Sequence, residues 1–225
     1  MIKRFGSFMA SHREALLLLY WIPHFIWYEL VVHFTPMMNY HIIHSPLDDV
    51  IPFSEIFIIP YSMWFFYIAA VQLYFLIKDR TDFINVTKLL YISLISSMLV
   101  CTFYPSTHTL RPDVFPRDNL LTDAVKFLYS IDNPDMPAGI LPSMHALVSL
   151  VLAAAVLKSR CLRGKPVIKT AACVLSALIC ASTVLIKQHS VIDVYLAVAF
   201  FVPIYIVVYH IWKTKPPADM PAEYF

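Results

Sequence analysis

The chain has 225 residues, of which 59% are hydrophobic and 14% are charged, and its mean hydropathy is +0.67. This composition is too apolar for an ordinary water-soluble domain and indicates a membrane protein. The formal net charge of +2 is small and no basic cluster is interleaved with aromatic residues, so nucleic acid is excluded as a partner. The four cysteines lack the spacing of a zinc site, and we expect them to be packing residues.

Six apolar segments are candidates for membrane-spanning helices, because about 20 residues are needed to cross the hydrocarbon core. The fourth is short and begins at a polar motif, so we expect its outer end to lie below the membrane surface in a protein-lined cavity. The sequence therefore predicts an all-α fold, an integral membrane six-helix bundle that forms one domain (1–215) and is followed by a short disordered tail (216–225). The predicted spans are 15–33, 56–77, 86–104, 144–157, 167–186 and 191–212.

The distribution of basic residues predicts the orientation, because lysine and arginine are retained preferentially on the cytoplasmic side. With six spans, all but four of the 17 basic residues fall on one side, together with both termini. We therefore expect both termini to be cytoplasmic, in the plasma membrane if the source is bacterial. An anionic ligand would explain the four exceptions on the opposite side, which are Arg111, Arg117, Lys126 and Lys187.

The longest connection, residues 105–141, joins the third and fourth spans and is predicted to be extracytoplasmic. Long loops on a rigid scaffold tend to be functional. Within it, Leu121, Val125 and Leu128 recur at helical spacing. This pattern predicts a short helix over residues 120–129 that lies along the membrane surface.

Three short clusters place ionisable groups at the ends of predicted spans, all on this same side. On one helix, His189 and Asp193 would share a face, so that the carboxylate accepts a hydrogen bond from one imidazole nitrogen and leaves the other free to attack. A purely structural His–Asp pair is the plainer alternative. The clusters are Arg111-Pro112, Pro142-Ser143-Met144-His145, and Lys187-Gln188-His189 with Asp193.

Ser143 has the position of a helix N-cap, and the backbone N–H groups that follow such a residue favour phosphate. Alone, this motif is adequately explained as a helix cap. Together with Arg111 and Lys187, it forms a predicted anion site with two cations, a hydroxyl group, backbone donors and two histidines. Such a set suits phosphoryl transfer, in which positioning and charge stabilisation supply most of the catalysis.

The clusters resemble the signature of the type 2 phosphatidic acid phosphatase superfamily, whose pattern is Lys-x6-Arg-Pro, Pro-Ser-Gly-His and Ser-Arg-x5-His-x3-Asp. The matching residues are Arg111-Pro112, Pro142-Ser143, His145, Ser182, His189 and Asp193. The chain departs from the pattern at Tyr104 for the first lysine, Met144 for the glycine and Thr183 for the arginine. Lys187, one helical turn after Thr183, is expected to replace a missing cation, and Lys-Gln-His resembles the inositol phosphorylceramide synthase branch.

The resemblance implies a membrane lipid phosphate or lipid pyrophosphate phosphatase that uses a phosphohistidine intermediate and needs no metal or cofactor. His189 would attack phosphorus, Asp193 would orient His189, and His145 would protonate the leaving group. The groups that would hold the non-bridging phosphate oxygens are Arg111, Ser143, Lys187 and the backbone N–H of Met144.

Two other functions stay open. A lipid phosphotransferase would pass the phosphate-bearing headgroup to an alcohol, for which the sequence identifies no acceptor site. A catalytically silent lipid-phosphate-binding protein is the alternative of another class, because two family cations are missing. A transporter is disfavoured, since the sequence has no inverted repeat. The sequence gives neither the lipid's alkyl part nor the oligomeric state, and the loop residues His41, His44, Asp48 and Asp49 lack the spacing of a metal site.

Overall fold

A computed structural model describes residues 13–131, 138–212 and 214. The predicted disordered tail lies outside these residues, as do four of the basic residues behind the predicted orientation: Lys3, Arg4, Lys213 and Lys215. Within the described residues the fold is helical apart from two strands of two residues each.

The main helices follow the apolar segments of the sequence. A 3-10 helix (Arg13–Tyr20) continues into α1, and further short 3-10 helices cover Thr35–Met37 and Glu55–Phe57. The last helix ends in a π-helical turn (Val207–Ile211). The α-helices are α1 (Trp21–Phe34), α2 (Pro46–Val50), α3 (Ile58–Lys78), α4 (Arg80–Phe103), α5 (Leu120–Ile131), α6 (Met144–Lys158), α7 (Pro166–Leu185) and α8 (Val191–Ile206).

Five helical segments are long and apolar enough to cross a membrane, as judged by length and composition. The chain is therefore a multi-pass membrane protein. The helix at the predicted fourth span, α6, has only 15 residues, so the six-span topology stays a prediction. The five segments are Arg13–Met37, Glu55–Lys78, Arg80–Phe103, Pro166–Leu185 and Val191–Ile211.

Helix α4 begins at Arg80, six positions before the predicted start of the third span at residue 86. Asp79 caps this helix by accepting a hydrogen bond of 2.9 Å from the N–H of Asp82. The Asp82 carboxylate in turn accepts hydrogen bonds from the Ser159 hydroxyl at 2.7 Å and the Arg160 N–H at 3.0 Å. The polar residues that suggested a connection are thus the first turn of a helix, which is held by the segment after α6.

Helix α6 occupies the centre of the fold and packs against α3, α4, α7 and α8. Leu147, Val151 and Leu152 are fully buried in the principal apolar core. A hydrogen bond of 2.9 Å from the Ser176 hydroxyl to the carbonyl of Ser149 joins α7 to α6. Small and polar residues at such contacts let helices approach closely. Because α6 is enclosed, the polar motif at its beginning lies in the protein interior.

The long loop is fixed to the beginning of α3. Arg117 forms an ion pair with the buried Glu55, with N–O distances of 3.0 and 3.1 Å, and the Asn119 amide donates to Glu55 at 3.1 Å. Asn119 also caps α5, which confirms the helix predicted in this loop. Val125 and Tyr129 of α5 pack on the beginning of α3 and on Ile186, directly after α7. A parallel pairing of β1 (His41–Ile42) with β2 (Ser106–Thr107) holds the loop after α1 beside the end of α4.

Candidate active site

His189 is presented by a short turn between α7 and α8. The carbonyl of Thr183 accepts hydrogen bonds from the N–H groups of Gln188 at 2.9 Å and His189 at 3.0 Å, which closes the turn. The backbone of Lys187 has a φ of 54° there. His189 does not lie on the same helix as Asp193, as the spacing suggested, because α8 begins at Val191 after the N-cap Ser190. The turn delivers the imidazole to the beginning of α8.

The predicted hydrogen bond between His189 and Asp193 is confirmed. Asp193 is fully buried, and its Oδ2 lies 3.1 Å from Nδ1 of His189. The same oxygen accepts the N–H of Ser190 at 3.0 Å, as part of a capping box. Because an ionised carboxylate only accepts hydrogen bonds, Nδ1 of His189 carries the proton. Nε2 is then left with its lone pair, which is the form of imidazole that attacks an electrophile.

Asp48 is a residue of this site that sequence reasoning missed. It is 1% exposed, and its Oδ2 accepts the Ser190 hydroxyl at 2.6 Å, while its Oδ1 accepts the N–H of Val191 at 2.9 Å. Its Oδ2 also accepts the N–H of Ser45 at 2.9 Å. The pattern Ser45-Pro-Leu-Asp48 signals a capping box for α2, but no sequence signal joins it to Ser190. Asp48, on the short helix α2, thus fixes the beginning of α8 although it lies 142 positions before Ser190.

His145 faces His189 from the beginning of α6, with 6.2 Å between the two ring centroids. Its ring lies between those of Tyr61 at 4.3 Å and Trp64 at 4.4 Å, both on α3. Ser143 is the N-cap of α6, as predicted, and its side chain accepts the N–H of Ala146 at 3.3 Å. The N–H of Ser143 donates to the carbonyl of Asp193 at 3.1 Å. This bond sets the beginnings of α6 and α8 side by side.

Arg111 reaches the same region from the long loop. Its Nη2 donates to Oε1 of Gln188 at 2.9 Å, and its guanidinium lies 4.4 Å from the ring centroid of Tyr129. Gln188 is 3% exposed. Because its oxygen accepts from Arg111, the amide nitrogen is oriented away from the guanidinium, and among the described residues this nitrogen has no hydrogen-bond partner. Gln188 therefore offers N–H donors next to His189, a feature that the sequence interpretation did not identify.

His108, which the sequence interpretation did not assign to the site, contacts the backbone of Gln188. Its Nε2 lies 2.8 Å from the carbonyl oxygen of Gln188, and its Nδ1 accepts the N–H of Leu110 at 3.2 Å. This pairing requires a neutral imidazole that is protonated on Nε2. Burial lowers the pKa of His108 to about 3, although the bond to the Gln188 carbonyl acts in the opposite direction. The nearby His189 and Arg111 lower this pKa further. His108 therefore stays neutral at ordinary pH and acts as a fixed donor.

The structure does not bring the ammonium of Lys187 into this group. Lys187 is 8% exposed, and its Nζ donates to the carbonyl oxygens of Asp48 at 2.8 Å and Ile51 at 2.6 Å. Burial lowers the pKa of Lys187, and the charges of Asp48 and Asp49 oppose that shift. The amine holds the loop that carries Asp48, which differs from the phosphate-binding role expected for it.

Tyr104 and Thr183 occupy the two positions at which a family cation is absent, and both side chains are engaged in other contacts. The ring of Tyr104 stacks on His41 with a centroid distance of 4.0 Å and an interplanar angle of 2°. Thr183 is fully buried, and its hydroxyl donates to the carbonyl of Cys180 at 2.8 Å. Met144 packs its side chain against two apolar clusters, so at this position the backbone N–H remains the group available to a ligand.

We expect Lys187→Ala to act mainly on stability. The variant leaves two buried carbonyl oxygens without their charged donor, which costs about 1–3 kcal/mol per lost bond. The measurement is thermal unfolding in detergent, with Lys165→Ala, at an exposed position, as the matched control. A Lys187→Ala protein that melts with the wild type but has lost all turnover would instead assign the ammonium to the phosphate.

In a comparison with known families, residues 85–217 match the model of the PAP2 superfamily. No curated protein and no solved structure matches the chain. The matched region contains Arg111, Ser143, His145, His189 and Asp193, and Asp48 lies before it.

Proposed function

Because the chain belongs to the PAP2 superfamily, whose members are generally phosphatase-type hydrolases, we propose that it hydrolyses lipid phosphates or lipid pyrophosphates through a phosphohistidine. The observation that carries the proposal is the orientation of His189. Its Nδ1 is bound to the buried Asp193, which leaves Nε2 as the nucleophile, and His145 lies 6.2 Å away by ring centroids. A simple anion-binding site has no need of this arrangement.

The reaction proceeds in two displacements at phosphorus. In the first, Nε2 of His189 forms a bond to phosphorus, the bond to the lipid alcohol breaks, and the departing oxygen takes a proton from His145. The positive charge that develops on His189 is stabilised by the carboxylate of Asp193. In the second, His145 takes a proton from water, whose oxygen displaces His189 from phosphorus and releases inorganic phosphate.

The non-bridging phosphate oxygens require hydrogen-bond donors. We assign this role to Arg111, the amide nitrogen of Gln188, the Ser143 hydroxyl and the backbone N–H of Met144. Gln188 is supported by its burial, by its contact with Arg111 and by its amide nitrogen, which has no hydrogen-bond partner in the described part of the chain. Because the Gln188 amide is neutral, it compensates only in part for the positive charge of a family cation that this chain lacks. It does supply a fixed hydrogen bond where charge builds up in the transition state.

The test is phosphate release by purified protein in mixed micelles that contain EDTA, with phosphatidate, phosphatidylglycerophosphate and polyprenyl pyrophosphate as substrates. We expect release from at least one of them, together with an acid-labile, base-stable label on the protein after rapid quenching with a lipid labelled in its phosphate. Release without any protein label would reject the phosphohistidine, and absence of both would favour headgroup transfer or silent binding.

We further propose that the site opens on the extracytoplasmic side, as the distribution of basic residues favours. Val114, in the long loop, is 82% exposed and suits a labelling test. A Val114→Cys protein should react with an impermeant maleimide in intact cells, whereas Lys165→Cys, in the connection between α6 and α7, should react only after lysis. Unmodified protein gives the background of its four native cysteines. The reverse pattern would invert the topology.

A further inference from the structure

A groove lies between the first helical segment and α3, and one of its lining residues, Trp64, also contacts His145. Its cavity volume is about 280 Å³, and its lining includes Leu18, Trp21, Phe25, Trp64, Ile68 and Gln72. We call it the α1–α3 groove. The rings at its rim, Phe25 and Phe65, are 49% and 56% exposed. No acidic or basic side chain lines it among the described residues, so a hydrocarbon chain is the occupant that it suits.

The Trp21 indole donates to the Gln72 amide at 3.1 Å, and this bond ties α1 to α3 at one end of the groove. Trp64 lies at the other end. The two α3 positions are eight residues apart, which is about 12 Å along a helix axis. Trp64 lines the groove and also lies 4.4 Å from the ring of His145, so it borders both the apolar channel and the acid–base residue.

Trp64 has a polar atom that the fold does not use. The residue is 7% exposed, and its indole Nε1 has no hydrogen-bond partner among the described residues. The indole N–H can only donate. A buried donor without an acceptor is unfavourable, and a ligand that supplies the acceptor is favoured by the same amount. Gln72, at the opposite end of the groove, also has an unused donor, because its amide nitrogen has no hydrogen-bond partner within the described part of the chain.

We propose that the α1–α3 groove receives an acyl chain of the substrate and that Trp64 donates its indole N–H to an ester or amide carbonyl close to the phosphate. This rests on the proposed function, since it places the departing alcohol at His145. In a diacylglycerol phosphate the first ester carbonyl follows that oxygen within a few bonds. A polyprenyl phosphate carries only hydrocarbon there and leaves the donor unpaired. The substrate class is therefore an acylated lipid phosphate.

The experiment compares matched diacyl and dialkyl phosphatidates, which differ in having ester or ether linkages, with a polyprenyl phosphate as third substrate. For the wild type we expect kcat/KM to be roughly tenfold higher for the ester than for the ether, the value of one hydrogen bond to a buried donor. Trp64→Phe retains an aromatic ring beside His145 but lacks the N–H. It should abolish the ester preference, so that the kcat/KM values of the ester and the ether become equal.

The matched control is Trp27→Phe. The Trp27 indole already donates to the Thr102 hydroxyl at 3.1 Å, so its loss should change both substrates by the same factor. Three outcomes would overturn the proposal: no ester preference in the wild type, an equal loss on both lipids in Trp64→Phe, or a preference for the polyprenyl phosphate.

The same lipid pair also gives a readout that does not depend on turnover. Ester lipid should raise the melting temperature of the wild type in detergent more than ether lipid, and Trp64→Phe should remove the difference. If no lipid is hydrolysed but this difference appears, the proposed phosphatase function fails and the carbonyl subsite stands. If lipids are hydrolysed without any ester preference in either readout, the subsite fails and the phosphatase function stands.

Discussion

His189→Ala is expected to abolish both phosphate release and labelling of the protein by a lipid labelled in its phosphate. The reason is that the variant removes the only atom assigned to attack, Nε2, while Asp193 keeps its bond to the Ser190 N–H and continues to cap α8. Loss of a covalent nucleophile lowers kcat by roughly 10⁵-fold or more. Rapid quench followed by gel electrophoresis in alkaline buffer measures the label, and phosphate assay measures the release.

The matched control for this variant is His210→Ala, which removes an exposed imidazole from the π-helical turn at the other end of the last helix. His210→Ala should keep both signals. Protein label that persists in His189→Ala would move the nucleophile to another residue, and His145 would be the first to examine because its ring centroid lies 6.2 Å from that of His189. Unfolding of the variant in detergent, checked by gel filtration, separates loss of chemistry from loss of structure.

Asp193→Asn is expected to keep the fold and to lower kcat by roughly 10³- to 10⁴-fold. The asparagine oxygen can still accept the Ser190 N–H, so the beginning of α8 is maintained. The same oxygen also accepts from Nδ1 of His189, so the tautomer of His189 is retained, and the variant instead loses the negative charge that orients and polarises this imidazole for attack. The change also deprives the phosphorylated imidazole of its counter-charge.

The measurement is single-turnover kinetics, with Asp123→Asn on the exposed face of α5 as the control. We expect KM to change little, because Asp193 does not contact the lipid in the proposed mechanism. A kcat within tenfold of the wild type would reduce the pair to a structural contact, the plainer alternative that the i, i+4 spacing also allowed.

Local sequence patterns were sufficient to predict several helices and contacts around the candidate site. Hydropathy located the apolar helices, and Ser143 caps α6 as its position before an apolar run indicates. The contact between His189 and Asp193 followed from their spacing, although the detailed geometry did not, because Ser190 intervenes as an N-cap. Each of these predictions depends on residues within one turn of helix from one another.

The features that escaped prediction depend on long-range contacts. Lys187 appeared to be a phosphate ligand because it is a cation two residues before His189, yet carbonyl oxygens from a loop far back in the chain bind its ammonium. The polar start of α4 resembled a connection because the partners of Asp82 come from the segment after α6. A role for Gln188 could not be predicted, because the orientation of its amide depends on the hydrogen bond from Arg111 in the long loop.

The contact of Asp48 with Ser190 and Val191 has a consequence for biogenesis. The match to the family model begins at residue 85, so the carboxylate that secures the turn beside His189 lies before the matched region. During synthesis this acidic residue emerges long before its partners. We therefore expect His189 to reach the geometry described here only after the last helix has packed into the bundle, so a ribosome-bound chain that lacks this helix has no assembled candidate site.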